Sequence, residues 1–279
     1  MKILAIGDFH GKLPEKILKL AKSNDIDIIL SSGDFPNTEK IRDLQFKYWT
    51  GKKWFEIIGL KKAKKLEKDG FDSGLKVLKK LNSINKKVYI VWGNSDFYRD
   101  TNEPKELVPG FYDDKIKTLK NIKLIDRRKI KIKNLEVIGH GRYVDVTEYI
   151  KHPIDKDKKK RIRRLKRYNK TKTELFSLFS KSKPIEGFIF LTHYTPYGVF
   201  DKVKFKTSPM YGKHVGFEPY NQIIKKYNPL IMICGHMHEY QGKQKLGKTT
   251  VINPGDISSG KAAIIEIIDK KIKNIKFIR

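Results

Sequence analysis

Short apolar runs, each followed by a side chain able to bind a metal ion or a phosphate, recur along this chain. Such runs are too short for helices and are typical of buried strands, and helix-like stretches separate several of them. A chain that alternates strands and helices is predicted to form an α/β sheet, with its functional site beyond the carboxyl ends of the strands. The five runs and the residues after them are Lys2–Ile6 with Gly7-Asp8-Phe9-His10, Ile26–Leu30 with Gly33-Asp34, Val88–Trp92 with Gly93-Asn94-Ser95-Asp96, Phe188–Leu191 with Thr192-His193, and Leu230–Cys234 with Gly235-His236-Met237-His238.

The rest of the pattern predicts further strands and a single domain over residues 1–279. The predicted helices are Pro14–Ser23, Asp72–Leu81 and Phe217–Tyr227. Two segments, at about residues 38–72 and 151–183, interrupt the alternation, and we expect them to be helical insertions. The further strands are predicted at Lys129–Lys133, Leu135–Ile138, Thr249–Asn253, Ala262–Ile268 and Ile272–Ile278.

The residues at the strand ends form a donor set suited to metal ions. Asp8 and His10 are two positions apart at a strand end, so their side chains project to the same side, and His236 and His238 repeat that spacing. The nitrogen-rich mixture suits Mn²⁺, Fe, Co²⁺, Ni²⁺ or Zn²⁺ better than Mg²⁺ or Ca²⁺. Seven ligands exceed the need of one open catalytic ion and suit two ions that share a carboxylate. The seven candidate ligands are Asp8, His10, Asp34, Asn94, His193, His236 and His238.

Each of these motifs is weak alone, and their joint occurrence carries the inference. Gly-Asp and Gly-Asn are ordinary turn dipeptides, and a single His-x-His is common without a metal. Here the sites follow five apolar strands in order, and four of the seven histidines of the chain fall within them. Coincidence is a poor explanation for that arrangement.

The series of Asp8-x-His10, Gly33-Asp34, Gly93-Asn94-x-Asp96, His193 and Gly235-His236-x-His238 resembles the calcineurin-like metallophosphoesterase superfamily. The resemblance covers nearly the whole chain apart from the two inserted segments. It implies a four-layer αββα sandwich, in which two mixed β-sheets are flanked by helices.

The resemblance also implies how the ligands are shared. One ion would be held by Asp8, His10, Asp34 and His238. The second ion would be held by Asp34, Asn94, His193 and His236, with Asp34 bridging the two. The implied activity is hydrolysis of a phosphate ester by in-line attack of a metal-bridging hydroxide, with Mn²⁺ as the preferred metal.

One position departs from the family pattern. Many members have a histidine after the Gly-Asn pair, and that histidine is commonly assigned to protonate the leaving oxygen, whereas this chain has Ser95. A serine hydroxyl is a poor acid at neutral pH, so either another group donates the proton or the leaving group is stable without one. We therefore expect a phosphodiesterase that favours acidic leaving groups over alkyl monoesters.

Other polar residues are candidates for the remaining roles. His214, in the glycine-flanked Gly212-Lys213-His214-Val215-Gly216, is a candidate replacement acid, and Asn94 and Asp96 are further candidate catalytic residues. His140 and Arg142 follow a predicted strand and are candidate substrate-binding residues, because an arginine fork can hold a phosphate oxygen.

The net charge of the chain has two possible interpretations. The chain has 61 Lys or Arg and 31 Asp or Glu, for a net charge of +30. This charge could reflect a Lys-rich composition, or it could attract a polyanion. The segment 151–183 concentrates the charge, with 14 Lys or Arg against three Asp or Glu, and its apolar spacing predicts an amphipathic helix with one packed face. Two alternatives therefore stay open: a nuclease guided by this helix, or a non-catalytic metal- and nucleic-acid-binding protein.

Composition excludes other classes. A single cysteine, Cys234, excludes a disulfide framework or a multi-thiolate zinc site. The apolar runs are far shorter than the ~20 residues that a membrane span needs. The polar Gly7-Asp8 comes too early for a secretory signal, so we expect a cytoplasmic protein whose main partner is a phosphate-ester substrate.

Overall fold

The computed structural model describes residues 1–49, 52–101, 104–153, 156–180, 184 and 186–279. Its strands form two six-stranded mixed sheets, with the orders β12-β11-β1-β2-β3-β4 and β5-β6-β7-β8-β10-β9. The strands are β1 (Lys2–Ile6), β2 (Ile28–Ser31), β3 (Val88–Ile90), β4 (Ile122–Leu124), β5 (Arg128–Ile132), β6 (Leu135–His140), β7 (Ile189–Thr192), β8 (Ile231–Ile233), β9 (Gly242–Leu246), β10 (Thr249–Asn253), β11 (Ala262–Ile268) and β12 (Lys271–Ile278).

Each sheet has a run of parallel strands and at least one antiparallel edge. Strands β1 to β4 are parallel neighbours in the first sheet, and β6, β7, β8 and β10 are parallel neighbours in the second. Strands β11 and β12 close one edge of the first sheet, and β5 and β9 close both edges of the second, all in antiparallel pairing. The predicted α/β class is therefore confirmed.

The helices in the described residues lie on both sides of the paired sheets. Helix α4 runs unbroken across Asp72, where the first inserted segment was predicted to end and a helix to begin. The helices are α1 (Glu15–Lys22), α2 (Glu39–Lys47), α3 (Trp54–Ile58), α4 (Leu60–Asn82), α5 (Tyr112–Lys115), α6 (Thr147–Lys151), α7 (Lys158–Ser180) and α8 (Glu218–Tyr227).

Three apolar cores show that the molecule has four layers. Along β1, Leu4 and Ile6 pack in a core with residues of α1 and α4, whereas Ile3 and Ala5 face the second sheet. This alternation is the period of two expected for a strand buried on both faces. A third core packs the second sheet against α7 and α8, through residues such as Phe179. The predicted αββα sandwich is confirmed.

The basic helix α7 packs over only part of its length. Leu175 and Phe179 are buried against the second sheet, but Ile162 and Leu165 are 43% and 45% exposed. The prediction of one continuous packed face was therefore wrong for the first half of this helix. Residues 154, 155 and 181–183 of the predicted segment lie outside the described part of the chain.

Two short strands, β4 and β9, were missed by the sequence analysis. β4 has three residues, too few to show a period, and β9 is a Lys- and Gln-containing edge strand with three exposed positions. Among the described residues, no helix combines the length and the apolar character that crossing a membrane requires.

Candidate metal centre

The predicted ligands follow neighbouring strands of both sheets. Strands β1, β2 and β3 lie side by side and lead into Asp8, Asp34 and Asn94. Strands β7 and β8 are neighbours in the second sheet and lead into His193 and His236. Because the strands of each set are parallel, their carboxyl ends lie at one edge of the molecule, as predicted for an α/β site.

Two glycines allow the ligand-bearing loops to approach closely. Gly33 has a φ of +93°, and a Cβ placed on it would lie 2.3 Å from the backbone nitrogen of Gly93. A Cβ on Gly93 would lie 2.0 Å from Oδ1 of Asp34. The glycines before Asp34 and Asn94 are therefore required by backbone packing.

The ligand loops hold an uncommon backbone conformation. Asp8, His10, Asp34 and His236 have φ values of 55°, 45°, 58° and 67°. A non-glycine residue in this left-handed region costs roughly 1–2 kcal/mol. Backbone hydrogen bonds between the loops stabilise it, including Asp8 N to Gly33 O at 2.9 Å and Phe9 N to Asp34 O at 2.8 Å. Strain of this kind clusters at functional sites.

Four of the predicted ligands form one compact group. A ligand atom from each of Asp8, His10, Asp34 and His238 lies within 4.8 Å of every other. The Nε2 atoms of His10 and His238 are 2.9 Å apart, and His238 Nε2 lies 3.7 Å from Asp8 Oδ1. The backbone N–H of His236 donates to both carboxylate oxygens of Asp8 at 3.1 Å, which fixes that side chain. This group is a candidate metal site.

A second group lies beside the first and shares Asp34. His193 Nε2 lies 2.8 Å from Asn94 Oδ1 and 3.6 Å from Asp34 Oδ2. Its Nδ1 lies 2.8 Å from the carbonyl oxygen of Ser32, which accepts a hydrogen bond when the ring proton is on Nδ1. The ring of His236 packs on that of His193, with centroids 5.1 Å apart.

Burial keeps the site histidines neutral, so each ring has a nitrogen lone pair available to bind a metal ion. Loss of solvent lowers the pKa of His193 to about 3 and that of His10 to about 4, and the nearby His238 contributes to both shifts. Burial also lowers the pKa of His236 and of His238. Neutral imidazole is the form that binds metals.

Asp96 positions the ligand loops. Its carboxylate accepts hydrogen bonds from the backbone N–H groups of Asp34, Phe35 and Gly93, at 2.9, 2.9 and 2.7 Å. It is 3% exposed and ties the loop after β2 to the loop after β3. These contacts are those of a residue that positions the two loops, and the predicted catalytic role of Asp96 stays a prediction.

Ser95 is turned toward the shared carboxylate. Its N–H donates to Asp34 Oδ1 at 2.9 Å, and its hydroxyl donates to Asp34 Oδ2 at 3.1 Å. The amide nitrogen of Asn94 donates to the Ser95 hydroxyl at 3.2 Å, which turns the amide oxygen toward His193. The serine therefore orients two ligands and is not a free acid.

The predicted substrate contacts of His140 and Arg142 are not supported. His140 is 1% exposed, and its Nδ1 lies 2.8 Å from the Tyr220 hydroxyl. Arg142 is held by two carboxylates, with Nε 2.6 Å from Asp126 and Nη1 2.5 Å from Asp100. Neither is among the described residues that line the cavity over the candidate ligands, and their substrate-binding roles stay predictions.

His214 is also placed away from the ligands. Its side chain is 42% exposed, and Nδ1 lies 2.7 Å from Asp201 Oδ1. It too is missing from the described lining of that cavity, which argues against its predicted role as the acid.

The cavity includes residues that the sequence analysis missed. Helix α2 contributes Arg42 and Phe46, and Trp49 follows it. No motif marks these residues, since they sit in the segment interpreted only as a helical insertion. Arg42 lies over the ring of Phe205 at 5.1 Å, and its charge contributes to lowering the pKa of His10 and His238.

Two mixed sheets in a sandwich, with a cluster of Asp and His side chains at the carboxyl ends of their strands, define an α/β protein with a candidate metal centre. A family model described as "Metallophosphoesterase, calcineurin superfamily" matches residues 1–277, so the chain belongs to that family. The resemblance predicted from the motifs is confirmed.

Known proteins similar to this chain extend over most of its length. An uncharacterized protein of Methanocaldococcus jannaschii is 25% identical over 264 residues, covering 91% of this chain and 88% of its own. One crystal structure aligns with a TM-score of 0.67 at 20% identity, covering 100% of this chain and 99% of its own. The structure of a phosphopantetheinyl hydrolase of Mycobacterium tuberculosis aligns with a TM-score of 0.53 at 11% identity, covering 91% of this chain and 88% of its own. At these identities the two structures show the fold alone.

Proposed function

We propose that this protein is a phosphodiesterase that uses two divalent metal ions, with Mn²⁺ preferred. The observation that carries the proposal is a set of hydrogen-bond acceptors that face one another. A neutral His193 has one ring proton, yet an oxygen lies 2.8 Å from each ring nitrogen, Ser32 O from Nδ1 and Asn94 Oδ1 from Nε2. With the proton on Nδ1, Nε2 presents a lone pair to Asn94 and, at 3.6 Å, to the carboxylate of Asp34. Converging lone pairs in a buried site repel one another unless a cation lies among them.

The donor chemistry fits two ions. Asp8, His10, Asp34 and His238 would hold one ion, and Asp34, Asn94, His193 and His236 would hold the other, with Asp34 shared. Imidazole, carboxylate and amide donors without sulfur suit Mn²⁺ and its neighbours in the first transition row. Paired ions supply an activated water nucleophile and neutralise the charge of the phosphoryl oxygens.

The surrounding residues orient the ligands and bind the phosphate. Asp96 and Ser95 hold Asp34 and Asn94 in place through the hydrogen bonds described above. Arg42 lines the cavity beside the ligands, and its Nε and Nη2 donate to Oδ1 of the exposed Asp43 at 3.3 and 3.2 Å. It is the guanidinium that we assign to a phosphate oxygen, in place of the more deeply paired Arg142.

Selectivity for the ester follows from which acids line the cavity. Among the described lining residues, the histidines are His10, His236 and His238, and we assign all three as ligands. The Ser95 hydroxyl donates to Asp34. No unassigned imidazole is thus left among the described lining residues to protonate the leaving oxygen. We therefore propose that a leaving group that needs no proton, such as a phenolate, is favoured.

Metal-loaded protein should hydrolyse methyl p-nitrophenyl phosphate and leave glycerol phosphate, an alkyl monoester, almost untouched. Because leaving-group departure is unassisted, we expect the rate constant in a series of aryl methyl phosphates to fall steeply as the pKa of the phenol rises. The measurement is kcat/KM for each of these esters, with Mn²⁺ present and again after a chelator has removed the metal. Absence of metal-dependent diester turnover, or a clear preference for the monoester, would refute the proposal.

A further inference from the structure

The candidate metal centre opens into a cavity of about 810 Å³. This volume is within the range that holds a ligand of drug or nucleotide size, far larger than a phosphate group. Its inner end contains the ligands His10, Asp34, Asn94, His236 and His238. A phosphoryl group held at these ligands therefore leaves most of the cavity for the rest of the substrate.

The cavity walls are aromatic and aliphatic. One wall comes from α2, α3, Tyr48, Trp49 and Lys53, and the facing wall comes from residues 143–149, residues 203–210 and Val215. Apolar residues of the first wall are Ile41, Phe46, Tyr48, Trp49, Trp54 and Phe55, and those of the second include Val146, Tyr149, Val203, Phe205 and Met210.

Aromatic pairs join the two walls. The ring centroids of Phe46 and Phe205 are 6.2 Å apart, and those of Trp49 and Tyr149 are 6.4 Å apart. Trp49 is 38% exposed and Phe205 is 41% exposed, so large apolar surface remains uncovered beside the cavity. Exposed apolar surface next to a polar centre is typical of a ligand-binding groove.

The charges on the cavity walls balance, although the chain carries +30. Apart from Asp34 and Asp96 at the metal centre, the charged groups among the described lining residues are three cations and three acids. A binding site for a polynucleotide would present an excess of Lys and Arg. The lining therefore favours one phosphate at the metal centre and an uncharged group beyond it. The six residues are Arg42, Lys53, Arg164, Glu39, Glu67 and Glu239.

We infer that the substrate is a phosphoester whose retained substituent is a large apolar group, held between the α2–α3 wall and the facing wall. The inference rests on the proposed function and adds the chemical class of the substrate. Residues Phe46, Trp49 and Phe205 act as specificity-determining contacts for that group.

The test compares p-nitrophenyl diesters that share a leaving group and differ in the retained group. With Mn²⁺-loaded protein, the octyl or phenyl ester should exceed the methyl ester in kcat/KM by about 10-fold or more, because only a large group fills the cavity. The octyl and phenyl arms distinguish an alkyl chain from a planar ring. Equal kcat/KM for all three esters, or faster cleavage of a DNA oligonucleotide, would overturn the inference.

Variants locate the effect in the cavity. Phe46→Ala and Trp49→Ala should each lower kcat/KM for the preferred large ester about fivefold or more and leave the methyl ester within twofold. The matched control is Tyr211→Ala, since Tyr211 is 54% exposed and is outside the described lining. An equal loss on both esters in the two variants would contradict the assignment.

A binding measurement separates failure of the inference from failure of the proposed function. By isothermal titration calorimetry, octylphosphonate should bind the Mn²⁺-loaded protein at least about 10-fold more tightly than methylphosphonate. Equal affinities would overturn the inference even if diesters are hydrolysed. Tighter octylphosphonate binding without any turnover would instead reject the phosphodiesterase and support the apolar ligand.

Discussion

Asp34→Asn should abolish metal-dependent phosphodiester hydrolysis, lowering kcat by about 1,000-fold or more. Asp34 is 2% exposed and lies in both ligand groups, so removing its charge weakens both at once. Asparagine keeps the size of the side chain, and its oxygen can still accept from the Ser95 N–H. The loss should therefore arise from metal binding and charge rather than from packing. The measurement is kcat for methyl p-nitrophenyl phosphate at saturating Mn²⁺.

Stability provides the control for this variant. Burial and the nearby Asp34 raise the pKa of Asp8, which means that the two carboxylates repel each other without a metal. The metal-free variant should therefore unfold at the same temperature as the parent or a higher one. Asp25→Asn is the matched control, because it makes the same change in a side chain that is 81% exposed. It should alter neither kcat nor the unfolding temperature. Near-native activity of Asp34→Asn would refute its assignment as the shared ligand.

Gly93→Ala should cost both stability and activity. Its Cβ would lie 2.0 Å from Asp34 Oδ1 and 2.7 Å from the Asp34 backbone nitrogen, so one of the two ligand loops must move. We expect a loss of about 3 kcal/mol in the free energy of unfolding. We also expect kcat to fall at least about 100-fold, because a displacement of about 1 Å at a reacting centre lowers the rate by that factor. Urea unfolding of metal-free protein and Mn²⁺-dependent turnover measure the two effects.

Gly110→Ala is the comparison for this substitution. A Cβ there would lie 3.3 Å from the Cζ of Phe71, a side-chain atom that can shift by a few tenths of an ångström. We expect less than about 1 kcal/mol of destabilisation and unchanged turnover. If Gly93→Ala behaved like this control, the close packing of the loops after β2 and β3 would not be what holds Asp34.

The candidate ligands were predictable because the backbone imposes a local signature on them. A buried strand ends, the chain turns through a glycine, and a ligand follows, as at Gly33-Asp34 and Gly93-Asn94. Strand period and turn chemistry depend on only a few neighbouring residues. Four such sites, and His193 after a fifth strand without a glycine, could therefore be found without tertiary information.

Other features depend on contacts between distant segments, which local sequence patterns do not carry. His140 and Arg142 follow a strand just as the ligands do, yet their partners are Tyr220 and Asp126. Likewise Asp96 occurs in a ligand motif but binds three backbone N–H groups. Which way each side chain turns was set by packing rather than by position after a strand.

The inserted helices show the same limit. The spacing within Asp72–Leu81 predicted a helix but could not show that it continues from Leu60. The aromatic residues before it gave no motif, and only the fold brings Phe46 beside Phe205. In α7, Arg164 and Arg167 bind Asp145, so two of the cations that favoured a polyanion are engaged by the protein itself.

The most direct test of the account is the number of metal ions bound per chain and its relation to catalysis. Metal-stripped protein should be titrated with Mn²⁺ while bound metal is counted by equilibrium dialysis and methyl p-nitrophenyl phosphate turnover is followed. We predict two ions per chain, activity that reaches its plateau only as the second binds, and an electron paramagnetic resonance spectrum of a coupled pair. Binding of a single ion with full activity, or turnover that persists after chelation, would contradict the proposed two-metal phosphodiesterase.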